Sequence, residues 1–385
     1  MIKLRVKQSV ENKGIFSRAA IVQSSEVGDI ETPQPILSNS EVNKLFEINK
    51  SKFLPSNFVP DNKVIEISRE FTGDKIKFLT KNNKIFDKYK KELGRKASPF
   101  NDRIKLFRPE VNKNTRIDDK ANAFFTELGV QGDFDWIVTP EESYNSSPDS
   151  FIKRITNTRE QIYSDIINEK TKDIIPTLWI SGREDVFKKK VNAVIDNGFK
   201  AIGINYESII TNRPNYYYLK KLALDNDLIT MLFSCEKTFR FDYTTAMNHF
   251  MTLFNFDFIS LKGKVVINPD VKLKTRYQPR ILDKKTLGHL KLSDYIGIYK
   301  TAPLGNNVLD SGLDLKKFIE KYNTVDLLSE AIKLHNATAS FSEFSVERQE
   351  IIDKNLEGYI KNRKYLLNAV DKVFQYNSSR ILISN

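Results

Sequence analysis

The chain has 385 residues, 40% of them hydrophobic and 29% charged. That is the balance of a soluble globular protein able to bury a large core in one or two domains. Lys and Arg number 61 against 49 Asp and Glu, a formal net charge of +12. The excess favours a polyanionic partner such as nucleic acid, although a Lys-rich, Gly-poor composition also follows from an AT-rich genome. No apolar run reaches the roughly 18 residues of a membrane span, and no signal-peptide core opens the chain. A single cysteine, Cys235, excludes an internal disulfide framework and fits a reducing compartment. A cytoplasmic protein is expected, or one of the host cytoplasm if the source is viral.

In chain order, residues 1–7 alternate apolar and basic side chains as an edge strand does. Ala19, Ala20, Ile21 and Val22 form a short strand, and residues 29–33 lead into another around Pro35, Ile36 and Leu37. Residues 1–70 together read as a β-rich opening segment. Residues 75–79 are predicted to be an early barrel strand, followed by a basic helix near 87–92. Residues 94–120 are polar and loop-like. Residues 134–138 predict a strand, and Phe151, Ile155, Ile162 and Ile166 mark a long helix.

Residues 174–205 form one complete strand–helix–strand unit. An apolar run over 174–180 stops at Ser181-Gly182, where Ser181 and Glu184 have the spacing of a helix capping box. Phe187, Val191, Val194 and Ile195 follow at helical spacing, Asn197-Gly198 supplies a left-handed C-cap, and residues 201–204 are a second buried strand. Two buried strands joined by a helix are parallel with a right-handed crossover, which puts chemistry at the strand C-termini, around Ser181, Gly182 and Gly203.

A helix near 217–224, a strand at 228–234, a helix over 243–253 and a strand at 256–260 continue the alternation. The pattern predicts an α/β fold, a (β/α)8 TIM-like barrel with its core over 71–314 and a helical C-terminal extension over 315–385. An open doubly wound sheet is the alternative, without a Gly-rich phosphate loop to support it. Leu327, Leu328, Ala331 and Ile332 make one amphipathic stripe of the extension and residues 347–376 another.

His249, His289 and His335 are far apart in sequence and one cysteine remains, so no metal and no cofactor is expected. Carboxylates are the candidate chemical groups. Asp257 lies in the apolar run Phe256-Asp257-Phe258-Ile259-Ser260, where an unpaired carboxylate is costly to bury. It carries chemistry, points outward or pairs with a Lys. Asp102 has no local distinction of its own.

Several fragments, in collinear order, resemble the tRNA-guanine transglycosylase superfamily. Gly28-Asp29-Ile30-Glu31-Thr32-Pro33, after Gly14-Ile15-Phe16, is similar to that family's opening strand pair. Ile180-Ser181-Gly182 resembles its guanine-contacting loop, and Ile202-Gly203-Ile204 the strand that follows. Residues 255–260 resemble its nucleophile strand, and Leu334-His335-Asn336 its late L-H-N helix. The resemblance implies a (β/α)8 barrel that exchanges guanine in a polynucleotide for a 7-deazaguanine such as preQ0, with one Asp attacking the ribose and another moving a proton. The target nucleotide leaves its stack to be reached.

Departures from the family pattern shape the expectation. The family's nucleophile position falls on Ser260, with Asp257 three residues earlier, and the Gln of the guanine-reading loop becomes Ser181. Counting back from Glu127-Leu128-Gly129 places the other Asp on Asp102. The zinc cysteines have no counterpart around Tyr295 to Ala302, leaving His335 at the fourth ligand's place. No room is expected for the C-terminal RNA-binding domain of the archaeal tRNA members, and in this the chain resembles the compact DNA-directed relatives. The implied catalytic residues are therefore Asp102 and Asp257, and the implied substrate-binding residues Ser181, Gly182, Gly203 and Ser260. The implied partners are DNA, or else tRNA, in a homo- or hetero-oligomer, with no membrane. Two other readings stay open: a non-catalytic nucleic-acid-binding or partner subunit that keeps the barrel, and an unrelated barrel enzyme acting on an anionic metabolite.

Overall fold

The computed structural model describes residues 2–12, 14–39, 41–43, 62–81, 83–111, 115, 117–140, 146–165, 172–239, 242–262, 280–299 and 325–381. It divides into two compact units. The first comprises Met1–Asn39, Asn62–Cys235 and Met251–Leu261, and the second Ser40–Asp61, Glu236–Phe250 and Lys262–Asn385.

The first unit is a (β/α)8 barrel. It opens with β1 (Lys3–Asn12), β2 (Ile15–Ser24) and β3 (Gly28–Thr32), an antiparallel sheet in which β1 is the edge, as its alternating pattern predicts. The barrel strands are β4 (Gln34–Ser38), β5 (Val64–Phe71), β6 (Ile104–Val111), β7 (Trp136–Val138), β8 (Asp173–Ile175), β9 (Thr177–Trp179), β10 (Ala201–Asn205), β11 (Ile229–Cys235) and β12 (Phe258–Leu261). All are parallel, in the order β8-β7-β6-β5-β4-β12-β11-β10-β9. The two edges of this sheet, β8 and β9, are separated in the chain by Pro176 alone. They are two halves of one strand, broken where proline has no N–H to donate. Its first half bonds to β7 and its second to β10, so the sheet closes on itself with eight staves.

Helices α1 (Gly73–Leu79), α2 (Asn83–Ala97), α3 (Asp119–Gln131), α4 (Pro148–Asp165), α5 (Glu184–Asp196) and α6 (Arg213–Asp225) supply the crossovers. Helix α5 starts without the expected capping box: its N-cap is Arg183, which makes no side-chain cap hydrogen bond, whereas Gly198 does adopt the left-handed φ of +71° that ends it. Residues 75–79, predicted as a strand, lie in α1, because Thr72 caps the Lys75 amide and starts a helix there. The stretch 94–120 holds the missed strand β6, hidden because Lys105, Arg108 and Glu110 interrupt its apolar residues. Strand β4 and all but the last residue of β5 lie within the segment assigned to the opening, and among the described residues the last barrel strand ends at Leu261.

The interior is apolar at the strands' N-terminal end, where Val64, Ile104, Leu106, Trp136, Ile175, Ala201, Ile229 and Met231 pack with Ile2, Val22 and Ile30 of the antiparallel sheet. That sheet therefore plugs the bottom of the barrel. Gly203 belongs to this core: a Cβ there would stand 2.5 Å from the Phe233 ring and 2.8 Å from Thr177 Oγ1. Close packing between β9, β10 and β11 therefore requires a glycine at this expected substrate-binding position. Gly203→Ala is expected to lower stability by about 1–3 kcal/mol through overpacking, read as a lower urea midpoint at unchanged slope.

In the second unit the described elements are α7 (Met247–Thr252), whose last two residues count with the barrel, the hairpin of β13 (Arg280–Asp283) and β14 (Gly288–Lys291), α8 (Leu292–Tyr299), α9 (Val325–Ile352), α10 (Leu356–Lys361) and α11 (Lys364–Ile381). The extension is helical as predicted, but the stripe over 347–376 is cut into three helices. The stripe residues Leu327, Leu328 and Ala331 lie outside the residues whose side chains are described. His335 and Asn336 clasp β13: His335 Nε2 donates to Leu282 O at 2.9 Å, and Asn336 bonds both Leu282 N, at 2.7 Å, and Arg280 O, at 3.0 Å. Among the described residues no helix is long and apolar enough to cross a membrane.

Candidate active site at the barrel mouth

The C-terminal half of the barrel interior is polar. Glu66 is the third residue of β5, and Arg108 the fifth of β6. Strand alternation puts Glu66 on the same face as Val64, and Arg108 on the same face as Leu106, whose side chains line the apolar core below. Arg108 Nη1 donates to Glu66 Oε1 at 3.0 Å and stands 3.9 Å from Glu110 Oε1. Its Nη2 reaches across the lumen to Asn205 Oδ1 at 3.2 Å and Ser234 Oγ at 2.9 Å, and the guanidinium lies 4.8 Å from the centre of the Phe233 ring. Ser260 Oγ donates to the other Glu66 oxygen. One network thus ties five of the eight staves together at the end where barrel enzymes do chemistry.

Local structure is bent to build it. Ser234 is a non-glycine residue at φ +55°, and the β11–β12 register shifts between Leu232 and Cys235. Phe233 packs inward, so simple alternation would turn Ser234 outward; the bulge turns its hydroxyl to Arg108. Such strain at a barrel rim is characteristic of functional sites. Asn205 is 1% exposed and its Nδ2 has no hydrogen-bond partner among the described residues, leaving a buried donor in the same lumen. Burial raises the Glu66 pKa above the ordinary 4.5; Arg108 pulls it down, Glu110 pushes it further up, and the hydrogen bonds from Ser260 and Arg108 lower it. The net rise favours a carboxyl that holds a proton, flanked by a second, 38% exposed carboxylate at Glu110.

Three of the expected site residues are at this end. Ser181 and Gly182 follow β9 and line a small pocket with Thr177, Trp179, Arg183 and Phe187, where Gly182 takes φ +117°. Ser260 is in the network itself. Asp102 and Asp257 are at the other end, and their catalytic assignments are corrected here. Asp102 is in the turn before β6, with a side chain 78% exposed and 3.8 Å from Arg103 Nε. Asp257 precedes β12 and is 1% exposed, its carboxylate bonded to Arg18 Nε at 2.9 Å and Arg18 Nη2 at 2.5 Å, with Thr32 Oγ1 and the Thr230 amide completing its shell. Arg18 also donates to Ala223 O and Leu228 O. This is the clamp that fastens the bottom plug.

Lys220 is another strongly perturbed group of this unit. Burial lowers its pKa to about 7, although its ammonium lies 3.6 Å from the centre of the Tyr217 ring and donates to Gly14 O. It anchors the β1–β2 turn at the closed end, away from the mouth. In the second unit, Ser340 Oγ, His249 and Glu347 form a short relay, 3.2 Å from Oγ to Nε2 and 3.3 Å from Nδ1 to the carboxylate. Asn248 Nδ2 donates to the same Ser340 Oγ at 2.8 Å, so the relay staples α7 to α9. Among the described residues no group of three His, Cys, Asp or Glu is placed to hold a metal ion.

The sequence approach missed Glu66, Arg108, Glu110, Asn205 and Ser234. A signal was present: in Val64-Ile65-Glu66-Ile67 a carboxylate interrupts a buried apolar run, as Arg108 does in β6. No protein-family model and no curated protein matches the chain.

Proposed function

We propose that the chain is a transglycosylase-like enzyme that exchanges guanine for a 7-deazaguanine in a polynucleotide, DNA rather than tRNA, at the barrel mouth. The observation that carries the reading is the pair of carboxylates, Glu66 and Glu110, held around Arg108 in the lumen. Base exchange at a ribose needs one anionic group to attack the anomeric carbon and one group to move a proton. In this reading Glu110 attacks that carbon as the guanine departs, and Glu66 gives its proton to the leaving nitrogen. The incoming 7-deazaguanine then displaces the Glu110 carboxylate and returns a proton to Glu66. Support also comes from position: Ser181-Gly182 follows the fifth stave at the mouth, and the run resembling the nucleophile strand is the eighth stave, with Ser260 against Glu66.

The second reading, a non-catalytic partner subunit, is favoured by the places of Asp102 and Asp257, since neither aspartate named by the resemblance faces the mouth. Incorporation of labelled 7-deazaguanine into DNA and into tRNA separates the two. Wild type and Asp102→Asn are expected to label DNA, and Glu66→Gln and Glu110→Gln to label it at least about 100-fold more slowly. Wild type that labels neither polymer overturns the enzyme reading.

A further inference from the structure

The first unit concentrates its charge on one crossover. Residues 73–97, which hold α1 and α2, contain nine Lys and Arg against three Asp and Glu, a net +6 and so half of the chain's +12. Within α2, Lys84, Lys88, Lys91 and Arg95 are all exposed and recur at intervals of four, three and four. At 3.6 residues per turn these positions form one straight stripe, roughly 16 Å from end to end with a cation about every 5 Å. Asp87 is about 60° to one side of the stripe. No described acidic residue pairs with any of the four, whereas the neighbouring Lys96 and Arg69 are both engaged by Glu92.

We propose that this stripe is a docking track for the phosphate backbone of a nucleic acid, which feeds the barrel mouth. The proposal rests on the polynucleotide reading above and specifies where the polymer is held. Helix α1 begins two residues after the C-terminal end of β5, the stave that carries Glu66, and α2 follows it, so the stripe starts close to the mouth. On another face of α2, Arg69 and Lys75 each lie 5.2 Å from the centre of the Tyr89 ring. On α1, Phe78 is 59% exposed between Lys77 and Lys81, an aromatic face on which an unstacked base can rest. A duplex strand offers a phosphate about every 3.4 Å of axis, dense enough to engage every cation of the stripe. An anionic membrane is a poorer fit, because the apolar face that a surface-lying helix would insert is already used: Leu93 and Ala97 are each 1% exposed.

The test compares the full chain with a quadruple variant, Lys84→Gln, Lys88→Gln, Lys91→Gln and Arg95→Gln. Glutamine matches lysine closely in helix propensity, so the helix is retained, and circular dichroism checks this. The control carries four equivalent changes at scattered exposed positions, Lys3→Gln, Lys189→Gln, Lys200→Gln and Lys221→Gln. Binding of a fluorescent duplex DNA of arbitrary sequence is measured by anisotropy across a KCl series. The expected result is a log K against log[KCl] slope shallower by about 3–4 for the stripe variant and nearly unchanged for the control, since each lost phosphate contact removes about 0.9. Affinity at low salt should fall at least about 10-fold in the stripe variant alone.

Equal losses in both variants, or a wild-type slope in the stripe variant, would overturn the track. So would wild type that binds phosphatidylserine vesicles and not DNA. The base-exchange assay reads Glu66 independently. DNA bound through the stripe without exchange removes the chemistry and leaves the track. Exchange into DNA that is insensitive to the stripe removes the track and leaves the chemistry.

Discussion

Asp257→Ala is expected to cost the barrel about 3–5 kcal/mol, because it leaves the Arg18 guanidinium buried without its counter-charge. Both side chains are 1% exposed, and the pair ties the β2 strand of the plug to the start of the last stave. The loss appears in chemical denaturation as a lower midpoint. The double variant Arg18→Met/Asp257→Leu should recover most of it, since a buried ion pair replaced by apolar groups of similar volume is often neutral. An aspartate at the reacting centre would behave otherwise: its removal would abolish exchange and leave stability nearly intact. A midpoint for Asp257→Ala within error of wild type would reject the clamp.

Glu66→Gln should have the largest effect on chemistry, and it carries a pH signature that a merely structural carboxylate at the surface would not show. Burial holds the folded-state pKa of Glu66 above the usual 4.5. Below about 4.5 the group is protonated in both folded and unfolded chains, and its contribution is fully present. As pH rises through the folded-state value, the unfolded chain releases its proton first, and that contribution is lost. The stability difference between wild type and Glu66→Gln should therefore move in the variant's favour as pH climbs above about 4.5. Parallel stability curves for the two proteins from pH 4 to 8 would contradict this. A lowered pKa, fixed by Arg108 alone, would tilt the difference the other way.

The two effects separate the ends of the barrel. The N-terminal end holds a charge pair saturated by its own hydrogen bonds, and the C-terminal end also holds neutral polar groups that are strained or incompletely bonded. Asn205 Nδ2 and the Ser234 bulge are of the second kind. A group that must meet a substrate keeps some of its bonding capacity open, and a clamp does not.

By itself the sequence determined the class of fold and much of its order. The run at 174–180, the helix after it and the strand at 201–204 were legible because apolar period and glycine placement are local properties of a chain. So were the edge strand β1 and the positive φ at Gly198. Strand β6 was not legible, because in a barrel alternate residues face the lumen and a polar lumen breaks the apolar run that marks a strand. Helix α1 was misjudged for a local reason, the Thr72 cap outweighing a short apolar alternation.

The places of the carboxylates in the barrel were decided by tertiary structure alone. Asp257 and Ser260 are three residues apart, yet one is at the closed end against Arg18 and the other at the mouth against Glu66. Glu66 and Ser260 are 194 residues apart and share a hydrogen bond. Which end of a stave a side chain occupies depends on where the strand begins, and which charges meet across the lumen depends on closure of the sheet. Neither quantity is written in the spacing of residues along the chain.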